Sequence, residues 1–155
     1  MQETFMREAI SLAGENVRIG RGGPFAAVIV KDGHVIARGV NQVVPANDPT
    51  AHAEIVAIRE ACRALRHYQL TDCDLYATCE PCPMCLGAIY WARPARVFFA
   101  LTRADAAAIG FDDALIYEEV ARPAHLRRIP MSLYLREEAL TVFEQWERKI
   151  DRVPY

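Results

Sequence analysis

A chain of 155 residues, 25% charged and 52% hydrophobic, can bury a sizeable core and calls for a single domain. A formal net charge of −2 is not that of a polyanion binder, whose footprint is a strongly basic face. No stretch approaches the roughly 18 apolar residues of a membrane span, and five cysteines are an odd number for a disulfide framework. No nucleic-acid or membrane partner is therefore expected, and a cytoplasmic location is.

The first helix is predicted over residues 3–17, where Phe5, Ala9, Leu12 and Ala13 recur at helical spacing. Charges in its middle set it apart from a signal peptide. "RIGRGGPF" breaks the pattern. "FAAVIV" reads as a buried strand, "KDGH" as a tight turn and "HVIARGV" as the antiparallel return. "NQVVPANDPT" reads as a loop and "AHAEIVAIREACRALR" as a helix. "DLYAT" is a short strand, "PCPMCLGAIYWA" a helix and "RVFFA" another strand. "ADAAAIGFDDALIYEEV" is helical with a break at Gly110, and "IPMSLYL" is expected to be a fifth strand. "REEALTVFEQWERKI" closes the chain before the tail "DRVPY". Strands alternating with helices imply crossover connections. The expected fold is α/β, three-layered, with a mixed five-stranded sheet between helices. One domain is expected over residues 1–155, ending in a helix and tail over 136–155.

Two of these helices turn polar groups inward. On a helical wheel Glu54 falls with Ile58, Ala61 and Leu65, while Arg59, Glu60, Arg63 and Arg66 fall opposite. A carboxylate on an apolar face costs several kcal/mol unless it is paired or protonated. A surface glutamate near a helix N-terminus is the plainer alternative, and the wheel argues against it. In the second helix Cys82 and Cys85 stand at i and i+3, sharing a face with Leu86, Ile89 and Ala92. Pro81 suits the first helical position. Cys79 belongs to the preceding strand.

Two inward thiols one turn apart need partners. His34, His67 and His125 have no supporting pattern, and Arg122, His125, Arg127 and Arg128 read as a solvated loop. His52 differs, because it opens "HAE" upstream of "PCPMC". The pair forms the H-x-E…P-C-x-x-C signature of zinc deaminases. His52, Cys82 and Cys85 as ligands leave the fourth tetrahedral position to water. Zinc lowers the pKa of such a water towards roughly 7, and Glu54 can then take its proton. If Cys79 also bound, the site would be closed and structural, and Glu54 would be stranded. Cys79 is therefore placed outside the ligand set.

"HAE" with "CEPCPMCLGAIYWARP" resembles the cytidine-deaminase-like zinc superfamily, and more narrowly the bacterial guanine deaminases. The likeness runs through "GGPFAAVIVKDG", "NDPTAHAE", "YQLTDCDLY", "GFDDALIY" and the terminal tyrosine. It implies one zinc per subunit on His52, Cys82 and Cys85, with Glu54 as proton shuttle. It implies hydrolysis of a free purine base, guanine to xanthine and ammonia. It implies that Asn41 bonds the base edge, Phe25 packs on the purine and Asp113 helps relay protons. Ala53, Trp91 and Tyr155 join them as substrate contacts. Without the likeness, Asn41 would merely start a loop, Phe25 would be core and Asp113 would cap a short helix. The family also exchanges its C-terminal segment between subunits, which implies a homodimer. Met84, Ala88 and Trp91 form a second apolar stripe opposite the metal face, in keeping with a two-fold partner or with core burial by other elements of the chain.

Three other readings share parts of this pattern. A tRNA adenosine deaminase has both zinc motifs but calls for a basic face. Cytosine or another amino-heterocycle is a possible substrate of the same chemistry. A zinc-stabilised binding module would need the metal and no turnover.

Overall fold

The structure, a computed structural model, describes residues 2–155 and divides them after Asp113 into two compact units. The first unit holds α1 (Gln2–Arg18), β1 (Ala26–Lys31), β2 (His34–Val40), α2 (Val43–Ala46), α3 (Ala53–Leu65), β3 (Cys73–Cys79), α4 (Pro83–Ala92), β4 (Arg96–Leu101) and α5 (Arg103–Ala108). The second holds α6 (Ala114–Ala121), a 3₁₀ turn (Ala124–Leu126) and α7 (Arg136–Arg148).

The sheet order is β2-β1-β3-β4. β1 runs antiparallel to both neighbours, and β3 and β4 are parallel, with α4 as their crossover. The predicted hairpin forms at Asp32-Gly33, both with positive φ, 49° and 75°. Side chains alternate along β1. Val28 and Val30, with Tyr76 of β3, pack against Ala9, Phe5, Met6 and Leu12 of α1. Ala27 and Ile29, with Leu75 and Ala77, pack against Ala57, Ile58 and Ala61 of α3 and Ile89 and Ala92 of α4. Each fully buried Ile or Leu contributes roughly 1.5–3 kcal/mol, so these two faces fix the three-layer arrangement.

One contact sets where α3 begins. A Cβ on Gly39 of β2 would lie 2.1 Å from the Ala53 carbonyl oxygen and 2.5 Å from the Ala57 nitrogen. The helix start can rest on the strand only because that residue has no side chain. His52 and Glu54 are thereby held at the edge of the sheet.

The sheet has four strands, not the five expected. Residues 130–134 form no regular element. Ile129, Met131 and Leu133 alternate as a strand would, yet all three are exposed. Pro130 offers no backbone N–H, and residues 114–155 contain no strand to pair with. The break expected at Gly110 is present: the stretch forms two helices, α5 and α6, parted where Gly110 takes a φ of 95°. The loop after β2 contains the single turn α2.

Candidate active site

His52 and Cys82 hold equivalent places, each capping the start of a helix in extended backbone. His52 has φ −68° and ψ 156°, and Cys82 has φ −64° and ψ 167°. Their carbonyls accept the first helical hydrogen bonds, from Val56 N (3.0 Å) and Leu86 N (2.8 Å). Pro83, rather than Pro81, takes the first helical position. Proline disfavours the helical region for the residue before it, so Cys82 is turned out of the helix and stands clear as a cap. Cys85 follows one turn in and is fully buried.

The three side chains converge. His52 Nδ1 lies 3.5 Å from Cys82 Sγ and 3.5 Å from Cys85 Sγ. One donor atom from each of the three falls within 4.8 Å of the others. A tetrahedral zinc, with Zn–S near 2.3 Å and Zn–N near 2.0 Å, separates its nitrogen and sulfur ligands by about 3.5 Å. The donor set therefore fits zinc. Cys79 is outside the cluster: its thiol donates instead to the Thr102 carbonyl, at 3.5 Å. Three protein donors leave one tetrahedral position open, the mark of a catalytic rather than structural site.

The charges are tightly coupled. The Cys85 thiol, hydrogen-bonded to the Cys82 sulfur, draws the Cys82 pKa down to about 4, helped by His52. That same bond, with burial, pushes Cys85 up. The hydrogen bond to Cys82 raises His52. Without metal, the Cys82 thiolate is stabilised by its neighbours Cys85 and His52. Both helix N-termini add their positive dipole ends. Zinc ligands must be unprotonated, so binding displaces the proton of the Cys85 thiol.

Glu54, on the first turn of α3, is 8% exposed, and burial pushes its carboxyl up. Its wheel partners Ile58 and Ala61 are buried with it, while Arg59, Glu60 and Arg63 face solvent. It interacts with Cys82, His52 and Cys85, which puts it against the donor cluster. A divalent cation there favours the carboxylate.

The other expected residues spread over three settings. Asn41 is buried just past β2, and its Oδ1 accepts from Val43 N (3.3 Å) and Gly23 N (3.4 Å). Phe25 is half-buried, with Phe111 edge-on at 4.9 Å and 90°. Asp113 is half-buried; burial raises its pKa first and the Cys82 charge next, so it lies within electrostatic reach of the cluster. Ala53 is buried between His52 and Glu54. Trp91 is 64% exposed, on the side of α4 away from Cys85 and Ile89. Leu86, expected on the buried face, is exposed too. Tyr155, in the second unit, is 73% exposed.

Two buried, hydrogen-bonded polar residues near the expected site residues escaped the sequence reading. Thr78 is buried and its Oγ1 accepts from Ala26 N at 3.0 Å, tying the end of β3 to the start of β1 beside Phe25. Asn16 is buried in the last turn of α1. Its signal was available: it continues the apolar stripe of Phe5, Ala9, Leu12 and Ala13, as Glu54 does on α3.

Residues 1–101 match the cytidine and deoxycytidylate deaminase zinc-binding region. The chain belongs to that family of zinc-dependent deaminases, and its cofactor is zinc. Within it, the guanine deaminase of Bacillus subtilis (strain 168) is 56% identical over 153 residues, covering 99% of this chain and 98% of its own. The X-ray structure of guanine deaminase from Bacillus subtilis superposes with a TM-score of 0.98, at 55% identity over 100% and 99% of the two chains. The tRNA-specific adenosine deaminase of Aquifex aeolicus (strain VF5) is 34% identical over 96% of this chain and 95% of its own. A mutant protein solved in complex with 8-azaguanine has a TM-score of 0.71 at 36% identity, over 74% of this chain and 66% of that one.

Proposed function

We propose that this chain hydrolyses guanine to xanthine and ammonia. One observation carries the reading: three convergent donors that suit zinc, with the buried carboxyl of Glu54 against the cluster. The substrate rests on 56% identity, end to end, with a guanine deaminase.

His52, Cys82 and Cys85 hold the metal in this scheme. When bound, zinc lowers the pKa of water in the open position towards roughly 7. With zinc held there, Glu54 would accept the proton given up by the water that attacks the ring carbon bearing the amino group. Glu54 then delivers the proton to the adjacent ring nitrogen. A second proton, from the hydroxyl now on that carbon and relayed with the help of Asp113, would pass to the amino group as the C–N bond breaks, leaving the ring carbonyl and ammonia. Asn41 bonds the base edge, Phe25 packs on the ring plane, and Ala53 lines the floor.

The active form is proposed to be a homodimer acting as one deaminase domain per chain, with residues 136–155 exchanged between subunits. Leu86, Tyr90 and Trp91 on α4 and Phe99 and Leu101 on β4 are exposed large apolar side chains. Such a surface is typical of a face covered by a partner, and a second copy is the simplest one. Trp91 would contact substrate, and Tyr155, on the exchanged tail, would meet the substrate of the neighbouring chain. Five free cysteines and a thiolate metal site suit a reducing compartment, in keeping with the cytoplasm.

A panel of free bases and an adenosine-containing tRNA anticodon stem-loop, each given to the zinc-loaded protein, tests the substrate. Guanine is expected to yield equimolar xanthine and ammonia at a rate at least about a hundredfold above the others, as a site built around specific polar contacts should. Turnover of the stem-loop alone would establish the tRNA deaminase reading instead. No turnover of any compound would leave a zinc-stabilised binding module.

A further inference from the structure

The chemistry above gives Asn16 no task, although burying its amide at 2% exposure is costly without partners. Its Nδ2 donates to two carbonyls, of Gly23 at 3.0 Å and of Asn41 at 3.1 Å. The acceptors lie in separate segments, the "GGP" turn before β1 and the residue after β2. These approach so closely that a Cβ on Gly22 would sit 2.2 Å from the Asn41 carbonyl oxygen. Only glycine fits there.

The join is closed from the other side. Gly23 N donates to Asn41 Oδ1 at 3.4 Å, and Asn41 N donates to the Phe25 carbonyl at 3.0 Å. Val43 N also donates to Asn41 Oδ1, at 3.3 Å. Two backbone donors on that oxygen decide which way the amide points, because the flipped form would set an NH₂ against two N–H groups. With Oδ1 engaged by these two donors, the other end of the side chain is Nδ2, which carries two N–H groups and can act as a donor only.

We propose that Asn16 is a positioning residue, clamping the Gly23 turn to the end of β2 so that Asn41 offers N–H donors, and not a carbonyl, to an acceptor on the substrate base. The inference rests on the guanine reading, in which the ring carbonyl or an unprotonated ring nitrogen is that acceptor. Asn16 touches no substrate and acts through Asn41.

A double-mutant cycle separates this role from plain stabilisation of α1. Turnover of guanine is measured for the zinc-loaded wild type, Asn16→Ala, Asn41→Ala and the double variant. Asn16→Ala is expected to keep its zinc and raise KM roughly tenfold, with a smaller change in kcat. In the Asn41→Ala background the same change should cost less than about twofold in kcat/KM, since the group it positions is gone. An equal factor in both backgrounds, or an unchanged KM, overturns the proposal. If Asn16→Ala fails to fold, Asn16→Ser, which keeps one donor, is carried through the same cycle and must show the same non-additivity. A wild type inert towards guanine removes the substrate reading alone; the cycle is then read on whichever base is turned over.

Discussion

Glu54→Gln is expected to bind zinc as the wild type does and to lose about 10⁴-fold or more in kcat. Glutamine keeps the volume and one acceptor oxygen but can neither take a proton from water nor return it. Two steps fail together, which is why the loss exceeds that of an ordinary hydrogen bond. KM should change little, because glutamine keeps the shape of Glu54 and the proposed base contacts come from Asn41 and Phe25. The same substitution makes a second, opposite prediction for the metal-free protein. Burial pushes the Glu54 carboxyl above its ordinary 4.5, so its stabilising contribution is present below that pH and is lost as pH rises through the folded value. Glu54→Gln, which does not titrate, should therefore melt higher than wild type at pH 7 once zinc is stripped, and that advantage should vanish below about pH 4.5. Equal melting of the two metal-free proteins at pH 7 would mean that the carboxyl is not buried. Wild-type turnover by Glu54→Gln would remove it from the chemistry.

The second large effect distinguishes two cysteines six residues apart in the sequence. Cys85→Ser should lose zinc on dialysis, and activity with it, by at least about 10³-fold, since a neutral hydroxyl replaces a thiolate in a three-ligand site. Stability falls too, because metal that binds only the folded chain adds about 4 kcal/mol at a free concentration a thousandfold above Kd. Cys79→Ser should retain one zinc per chain and most of its activity. A serine hydroxyl can still donate to the Thr102 carbonyl, so the cost is that of one altered hydrogen bond, about 1 kcal/mol. Metal analysis and melting of the two variants side by side check both expectations. Zinc lost equally from both would make Cys79 a ligand.

The sequence made the metal centre legible through a conflict between levels. Glu54 and the two thiols stand on faces that periodicity marks as apolar, and a polar group kept there needs a reason. The same logic covers Asn16, but no neighbouring motif drew attention to it, and its partners at Gly23 and Asn41 meet it only in three dimensions. The supposed fifth strand failed for a different cause. Alternating Ile129, Met131 and Leu133 specify an amphipathic extended chain, and say nothing of whether a ladder exists beside it. The start of α4 was misplaced by two residues because Pro81 and Pro83 both fit a first helical position. Which one serves is decided by Cys82, whose side chain must leave the helix to reach His52. The second stripe of α4 was visible from its spacing, but Trp91 at the surface shows that spacing does not say what covers a face.

X-ray absorption at the zinc edge of the resting wild type bears most directly on the open site. Two sulfurs near 2.3 Å and two lighter atoms near 2.0 Å, one of them exchangeable with an added anion, are predicted. A third sulfur in that shell would close the position beside Glu54 and contradict deamination by this chain.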